Sequence, residues 1–138
     1  MRFAFVCCAF ILAAFAARAD IAPEPDRGPP MATVAGLDFA VQPVQVEFGP
    51  QNGPHYYKTL QAVVLTGCTD GHPNCRIAKS KRLIGMEVLS VDDASLQPEH
   101  GMVQQIIDAF SRSKRTVILE LFARGSQSEP VKVAFERS

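Results

Sequence analysis

The hydrophobic pattern of the chain predicts five β-strands. In residues 37–48, Val44, Val46 and Phe48 alternate with polar side chains, which is the period of a strand with one buried face. Residues 62–65 are apolar without a break and indicate a strand that is buried on both faces. Turn-forming residues separate neighbouring segments. The strands predicted on this basis are 37–48, 56–66, 86–91, 116–122 and 131–136.

Two helices of different length are predicted between these strands. Pro98 suits the first turn of a helix over residues 99–110, because a missing N–H costs little there. The apolar side chains of this segment fall at helical spacing and form one stripe. Residues 75–83 favour a shorter helix of one or two turns. One amphipathic helix against mostly antiparallel strands predicts an α+β fold.

The N-terminal segment has the pattern of a secretory signal peptide. A positive start at Arg2 precedes an apolar run over residues 3–17, and Ala17-Arg18-Ala19 is a small-x-small cleavage site. The run is shorter than the roughly 20 residues that a membrane-spanning helix needs. We therefore expect cleavage after Ala19, a periplasmic or secreted location, and no stable membrane insertion of the mature chain. Residues 20–35 are rich in proline and predict a disordered leader before a single domain at 36–138.

Charge and composition argue against nucleic acid as a partner. The whole chain has 14 basic and 14 acidic residues. Removal of the signal segment takes Arg2 and Arg18 with it and leaves a net charge of −2, which provides no electrostatic attraction for nucleic acid or an anionic membrane. The absence of Trp and the scarcity of Tyr also argue against a platform on which bases could stack.

The four cysteines divide into two pairs. Cys7 and Cys8 lie within the signal segment, so the mature chain keeps Cys68 and Cys75. Two cysteines seven residues apart in an oxidising compartment predict one local disulfide. An alternative is a metal site, in which His72 would add a third ligand, but a fourth protein ligand is not evident nearby in the sequence. We expect the disulfide and no metal or other cofactor.

Three blocks of the sequence resemble the PDZ family. The first is residues 63–93, whose segment 83–93 is similar to the family's leucine-x-glycine-aspartate stretch and the strand that follows it. The second is the helix that starts at His100, followed by the strand over 115–123. The third is Gly36-Leu37-Asp38-Phe39, which looks like the family's Gly-Leu-Gly-Phe carboxylate-binding loop. The resemblance implies a small antiparallel barrel or sandwich with one long and one short helix, here with an extra C-terminal strand.

The resemblance also implies a peptide-binding groove between a strand and the long helix. The loop of Gly36, Leu37, Asp38 and Phe39 would bind a terminal carboxylate with its N–H groups, while a partner segment is added as a strand. The other groove positions implied by the family are His100, which would bond a Ser or Thr side chain of the ligand, Gln104, and Ile107 in the apolar end pocket.

Simpler roles remain open for the same residues. The loop is also a turn that enters a strand, His100 a solvated residue at a helix start, and Ile107 part of the core. Asp38 would repel a terminal carboxylate, and Pro43 lacks the N–H that one ladder bond requires.

The sequence carries no recognisable catalytic signature. Its three histidines are widely spaced, and it has no nucleophile elbow, P-loop or dinucleotide fingerprint. We therefore expect a binding protein: an exported module that binds extended peptide segments or protein C-termini in an adaptor or regulatory role. The alternative is a structural or inhibitory secreted domain with a closed groove, which would contact its partner through residues 49–57 or the C-terminal strand.

Overall fold

A computed structural model describes residues 28–113 and 115–137 of the chain. Within these ranges it contains seven β-strands and two α-helices, which confirms the predicted α+β class. The elements are β1 (Met31–Val34), β2 (Leu37–Phe48), β3 (Tyr56–Cys68), α1 (Pro73–Ser80), β4 (Glu87–Val91), β5 (Ala94–Ser95), α2 (Met102–Arg112), β6 (Thr116–Phe122) and β7 (Val131–Glu136). A single 3-10 turn at Pro98–His100 precedes α2.

The strands form one antiparallel sheet in the order β1-β2-β3-β4-β6-β7, with β5 paired to β4. The prediction of a barrel or sandwich is wrong, because this sheet is not closed. β2 and β3 pair along their whole length, whereas β3 pairs with β4 only at Val63↔Val88 and Val64↔Glu87. The part of β2 after Val41 and the part of β3 before Val63 therefore project from the sheet as a two-stranded arm. Strands β1 and β7 are the opposite edges of the sheet.

One face of the sheet and α2 enclose the core. Alternate residues of β2 and β3 point to this face, where Leu37, Phe39, Val63 and Leu65 are at most 1% exposed. Helix α2 contributes its predicted apolar stripe and contacts β1, β2, β3, β4 and β6. Burying one such side chain stabilises the fold by about 1.5–3 kcal/mol. The core therefore fixes the position of α2 across the sheet.

Both helices begin at different residues from those predicted. Gly101 has a φ of +74°, a conformation that glycine adopts at little cost, and it separates the 3-10 turn from α2. His100 consequently lies outside the helix that was predicted to start with it. Helix α1 starts at Pro73, which takes the first helical position, and the ring Nδ1 of His72 accepts a hydrogen bond from the Asn74 N–H at 3.1 Å.

The first strand lies in the segment that was expected to be a disordered leader. Residues 31–34 pair with β2, and the Val41 N–H extends this pairing by donating to the carbonyl of Pro30 at 2.8 Å. The remaining predicted leader residues up to 27, and the predicted signal peptide at 1–19, lie outside the described residues. Sequence alone missed β1 because four residues after two prolines are too few to show a period.

Candidate strand-binding groove

Strand β1 covers the edge of β2 that faces α2. Its register runs from Met31↔Ala40 to Val34↔Leu37. This edge of β2 is therefore occupied by a segment of the chain itself, which is joined to β2 by a two-residue turn.

The part of this edge that can form hydrogen bonds with a neighbouring strand is five residues long. In an antiparallel pair, every second residue of a strand forms main-chain hydrogen bonds with the same neighbouring strand. The bond between Val41 and Pro30 shows that the bonded pairs of β1 and β2 are Pro30↔Val41, Ala32↔Phe39 and Val34↔Leu37. The next position of β2 in the series is Pro43, which has no N–H. The edge that can accept a strand thus runs from Leu37 to Val41.

The side chains of β1 alternate between the core and solvent. Ala32 and Val34 are half-buried and pack against the core, whereas Met31 is 69% exposed and Thr33 is exposed. The hydroxyl of Thr33 donates a hydrogen bond to a carboxylate oxygen of Asp38 at 2.6 Å. A strand at this position is therefore held by main-chain bonds, two small apolar side chains and one polar contact.

The turn between β1 and β2 is fixed by the segment around the disulfide. Ala35 and Gly36 have φ values of +51° and +76°, which suits a tight hairpin turn. The Thr69 N–H donates to the Gly36 carbonyl at 2.8 Å. A Cβ atom at position 36 would collide with the ring of His72, so this position requires glycine.

Asn74 links this turn to the opposite edge of the sheet. Its side chain is fully buried and its Nδ2 donates to the carbonyls of Ala35 at 2.9 Å and Glu136 at 2.7 Å, while its Oδ1 accepts from the Glu136 N–H at 2.8 Å. This role was not predicted from the sequence, where the signal is weak: a single asparagine next to Cys75 at the start of a short helix.

The predicted disulfide between Cys68 and Cys75 is confirmed, with a Cα–Cα distance of 5.2 Å. It joins the end of β3 to the first turn of α1 and so holds His72 and Asn74 beside the turn. Among the described residues no group of three or more His, Cys, Asp or Glu side chains has the arrangement of a metal site. Nearby, a hydrogen bond from Lys79 lowers the pKa of the exposed Asp70.

The residues predicted for the carboxylate loop lie at the β1–β2 turn and the start of β2. Gly36 is in the turn. Leu37 and Phe39 are in β2 with buried side chains, 0% and 1% exposed, and belong to the core. Asp38 points to the other face, where it binds Thr33. The structure therefore brings these four residues together but uses two of their side chains for packing.

The groove residues predicted on the helix side lie in or before α2. His100 is exposed in the 3-10 turn. Gln104 is half-buried and donates to the carboxylate of Asp108 at 2.9 Å, and Ile107 is half-buried and packs against the core. Their roles in ligand binding stay predictions.

A partly buried ion pair joins β4 to the segment that follows β6. The side chain of Glu87 is 5% exposed and makes two hydrogen bonds with the guanidinium of Arg124, at Nε and, at 2.7 Å, at Nη2. This hydrogen bonding raises the pKa of Arg124. The guanidinium also lies 5.9 Å from the ring centre of Phe122.

The arm carries a second candidate surface. Val44, Val46 and Phe48 of β2 lie on one face, beside Tyr56 and Leu60 of β3. Tyr56 is 61% exposed and Leu60 is 38% exposed, and the rings of Phe48 and Tyr56 stack with a centroid distance of 5.6 Å. This face forms an apolar stripe that Lys58, opposite Val46, interrupts, and its outer end at Phe48 and Tyr56 is exposed.

Comparison with known proteins returned no match to a family model, to a curated protein or to a solved structure. Within residues 28–113 and 115–137, no helix has the length and apolar character required to cross a membrane.

Proposed function

We propose that this domain is a PDZ-like protein-binding module that accepts an extended segment of a partner as an additional strand along β2, next to α2. In this role it acts as an exported adaptor or regulatory protein and performs no chemical reaction. The long helix followed by strand β6 agrees with the closing elements that the resemblance implies.

The position of β1 is the observation that carries this proposal. A four-residue strand pairs with the edge of β2 and places two small side chains against the core beside α2. Strand addition uses the same two contributions: main-chain hydrogen bonds for affinity and alternate side-chain sites for selectivity. A foreign segment of similar length fits the same edge once β1 has left it.

Competition with β1 sets the conditions for binding. Because β1 is tethered by two residues, its effective concentration at the edge is very high, at least in the millimolar range. A foreign segment therefore binds with an apparent affinity that is reduced by the small fraction of molecules whose edge is free. Partners that supply additional contacts outside the groove overcome this competition.

The test uses the full chain, purified with the disulfide formed, and a library of fluorescent eight-residue peptides. Ala32→Pro removes the N–H that bonds Phe39 and weakens β1. Met31→Pro is the matched control, since this N–H points away from β2. We expect saturable anisotropy changes that are stronger for Ala32→Pro than for the wild type and Met31→Pro. Absence of binding by folded Ala32→Pro protein contradicts the proposal.

A second candidate function is supported by the arm. If β1 stays in place permanently, the groove is closed and the domain contacts its partner through residues 49–57, as a structural or inhibitory protein. The exposed apolar stripe beside this loop, including Phe48 and Tyr56, favours that alternative.

A further inference from the structure

Resting on the proposed function, we propose that the groove selects an internal extended segment with the pattern of β1 and not a free C-terminus. The pattern has small apolar residues at the two inward positions and a hydroxyl residue between them, opposite Asp38. The segment Ala32-Thr33-Val34 is thus a built-in example of the ligand.

The inward positions are restricted by the core beneath them. Ala32 lies opposite Phe39 and Val34 opposite Leu37, and both residues of β2 are at most 1% exposed. Because Ala32 and Val34 already pack against this core, a larger side chain at either inward position has to displace neighbours or turn towards solvent. The groove therefore favours residues of the size of alanine and valine.

The outward position between them is selected by Asp38. The Thr33 hydroxyl is 2.6 Å from the carboxylate oxygen. A carboxylate only accepts hydrogen bonds, so a Ser or Thr hydroxyl donates to it directly, an apolar side chain leaves it to water, and an acidic side chain is repelled. At the ligand position equivalent to Thr33, the groove consequently favours Ser or Thr, whereas the two inward positions favour apolar side chains.

The end of the groove is unsuitable for a terminal carboxylate. A peptide that ends at the position of Val34 would place its terminal carboxylate opposite Leu37, which is next to Asp38 in β2. The two negative charges would repel each other. The N–H of Thr69 is not available to a carboxylate, because it is already bonded to the Gly36 carbonyl. The ring of His72 covers Gly36 on its other side. A peptide that continues past this position has no terminal carboxylate there, so Asp38 does not repel it.

The test uses peptides derived from β1 with the full chain carrying Ala32→Pro. The probe is a fluorescent peptide with the sequence of residues 28–35 and blocked ends. Matched peptides carry Val in place of Thr33, or stop at Val34 as the free acid or the amide. Val34→Gly, which removes packing and leaves the ladder donors of β1 in place, is the second variant in case Ala32→Pro does not fold.

We expect the blocked peptide to bind the Ala32→Pro protein at least tenfold more tightly than the Met31→Pro control. The Thr-to-Val exchange weakens binding by about three- to tenfold, the range of one net hydrogen bond. In a protein that also carries Asp38→Ala this difference disappears. The amide that stops at Val34 binds more tightly than its free acid.

The outcomes separate the two proposals. Binding of the free acid alone overturns the preference for an internal segment and leaves strand addition intact. Equal binding of the Thr and Val peptides overturns the role of Asp38. If neither folded variant binds any β1-derived peptide or any member of the library, the proposed function itself is wrong.

Discussion

At the scale of single residues, Asn74 has the most demanding environment in the described part of the chain. It is fully buried, and its amide satisfies three main-chain groups on two distant segments. Buried main-chain groups without a partner are costly, so this side chain determines how the β1–β2 turn and β7 are held together. The same amide positions the end of the candidate groove.

Replacement of Asn74 by alanine is expected to lower the free energy of unfolding by about 3 kcal/mol, because it leaves buried carbonyl and N–H groups unsatisfied. Asn74→Asp retains the shape but turns the donor into an acceptor facing two carbonyls, so it destabilises at neutral pH and less at acidic pH. Urea denaturation measures both effects. Asn52→Ala, at an exposed turn position, is the control and should change little.

A small effect of Asn74→Ala, comparable with that of Asn52→Ala, would mean that water replaces the amide. The turn would then be held mainly by Thr69 and His72.

At the scale of secondary structure, sequence patterns predicted the strands better than the helix ends. β2, β6 and β7 have the predicted bounds, because each shows alternation or an apolar run enclosed by turn residues. The start of α2 was misplaced since the positive φ of Gly101 depends on the surrounding fold. Strand β1 was missed because its pairing, and not its composition, makes it a strand.

The candidate site could be predicted only in part for related reasons. The segment Gly36–Phe39 was identified from its resemblance to a loop, and the structure places it at the turn and the start of β2. The burial of Leu37 and Phe39 was not predicted, because the expected strand alternation was recognised only further along, at Val44, Val46 and Phe48. That β1 would occupy the neighbouring edge depends on contacts between segments, which no local pattern specifies.

The disulfide is predicted to stabilise the turn through α1. On the chain-entropy model a loop of this length contributes about 2–3 kcal/mol. We expect reduction, or a Cys68→Ala/Cys75→Ala double variant, to lower the unfolding free energy by that amount, as measured by urea denaturation. Since His72 and Asn74 lie between or beside these cysteines, hydrogen exchange of the Thr69 amide should also accelerate.

The control for this prediction is the double variant treated with the same reductant, because it has no disulfide to reduce and its stability should not change. Loss of stability without faster exchange at Thr69 would separate the disulfide from the turn and contradict its proposed role in holding the groove.

At the scale of the whole molecule, the sheet consists of a packed body and a projecting arm. The body contains α2 and the buried residues of the long strands. In the arm, which comprises β2 after Val41 and β3 before Val63, the two strands pair only with each other. An isolated two-stranded hairpin is marginally stable in water. The arm therefore contributes little to folding, and its apolar stripe is available for contact with another molecule.

Shortening the arm separates the two candidate functions. Residues 45–59 can be replaced by Asn-Gly, a two-residue turn that suits the Val44↔Leu60 pair. We expect the unfolding free energy to change by no more than about 1 kcal/mol, because the removed residues lie outside the core. In the Ala32→Pro background, affinity for the blocked β1 peptide should be unchanged, since the edge from Leu37 to Val41 is retained. A loss of that affinity, measured by anisotropy on folded protein, would move the binding site from the groove to the arm. A large loss of stability would instead show that the arm folds cooperatively with the body.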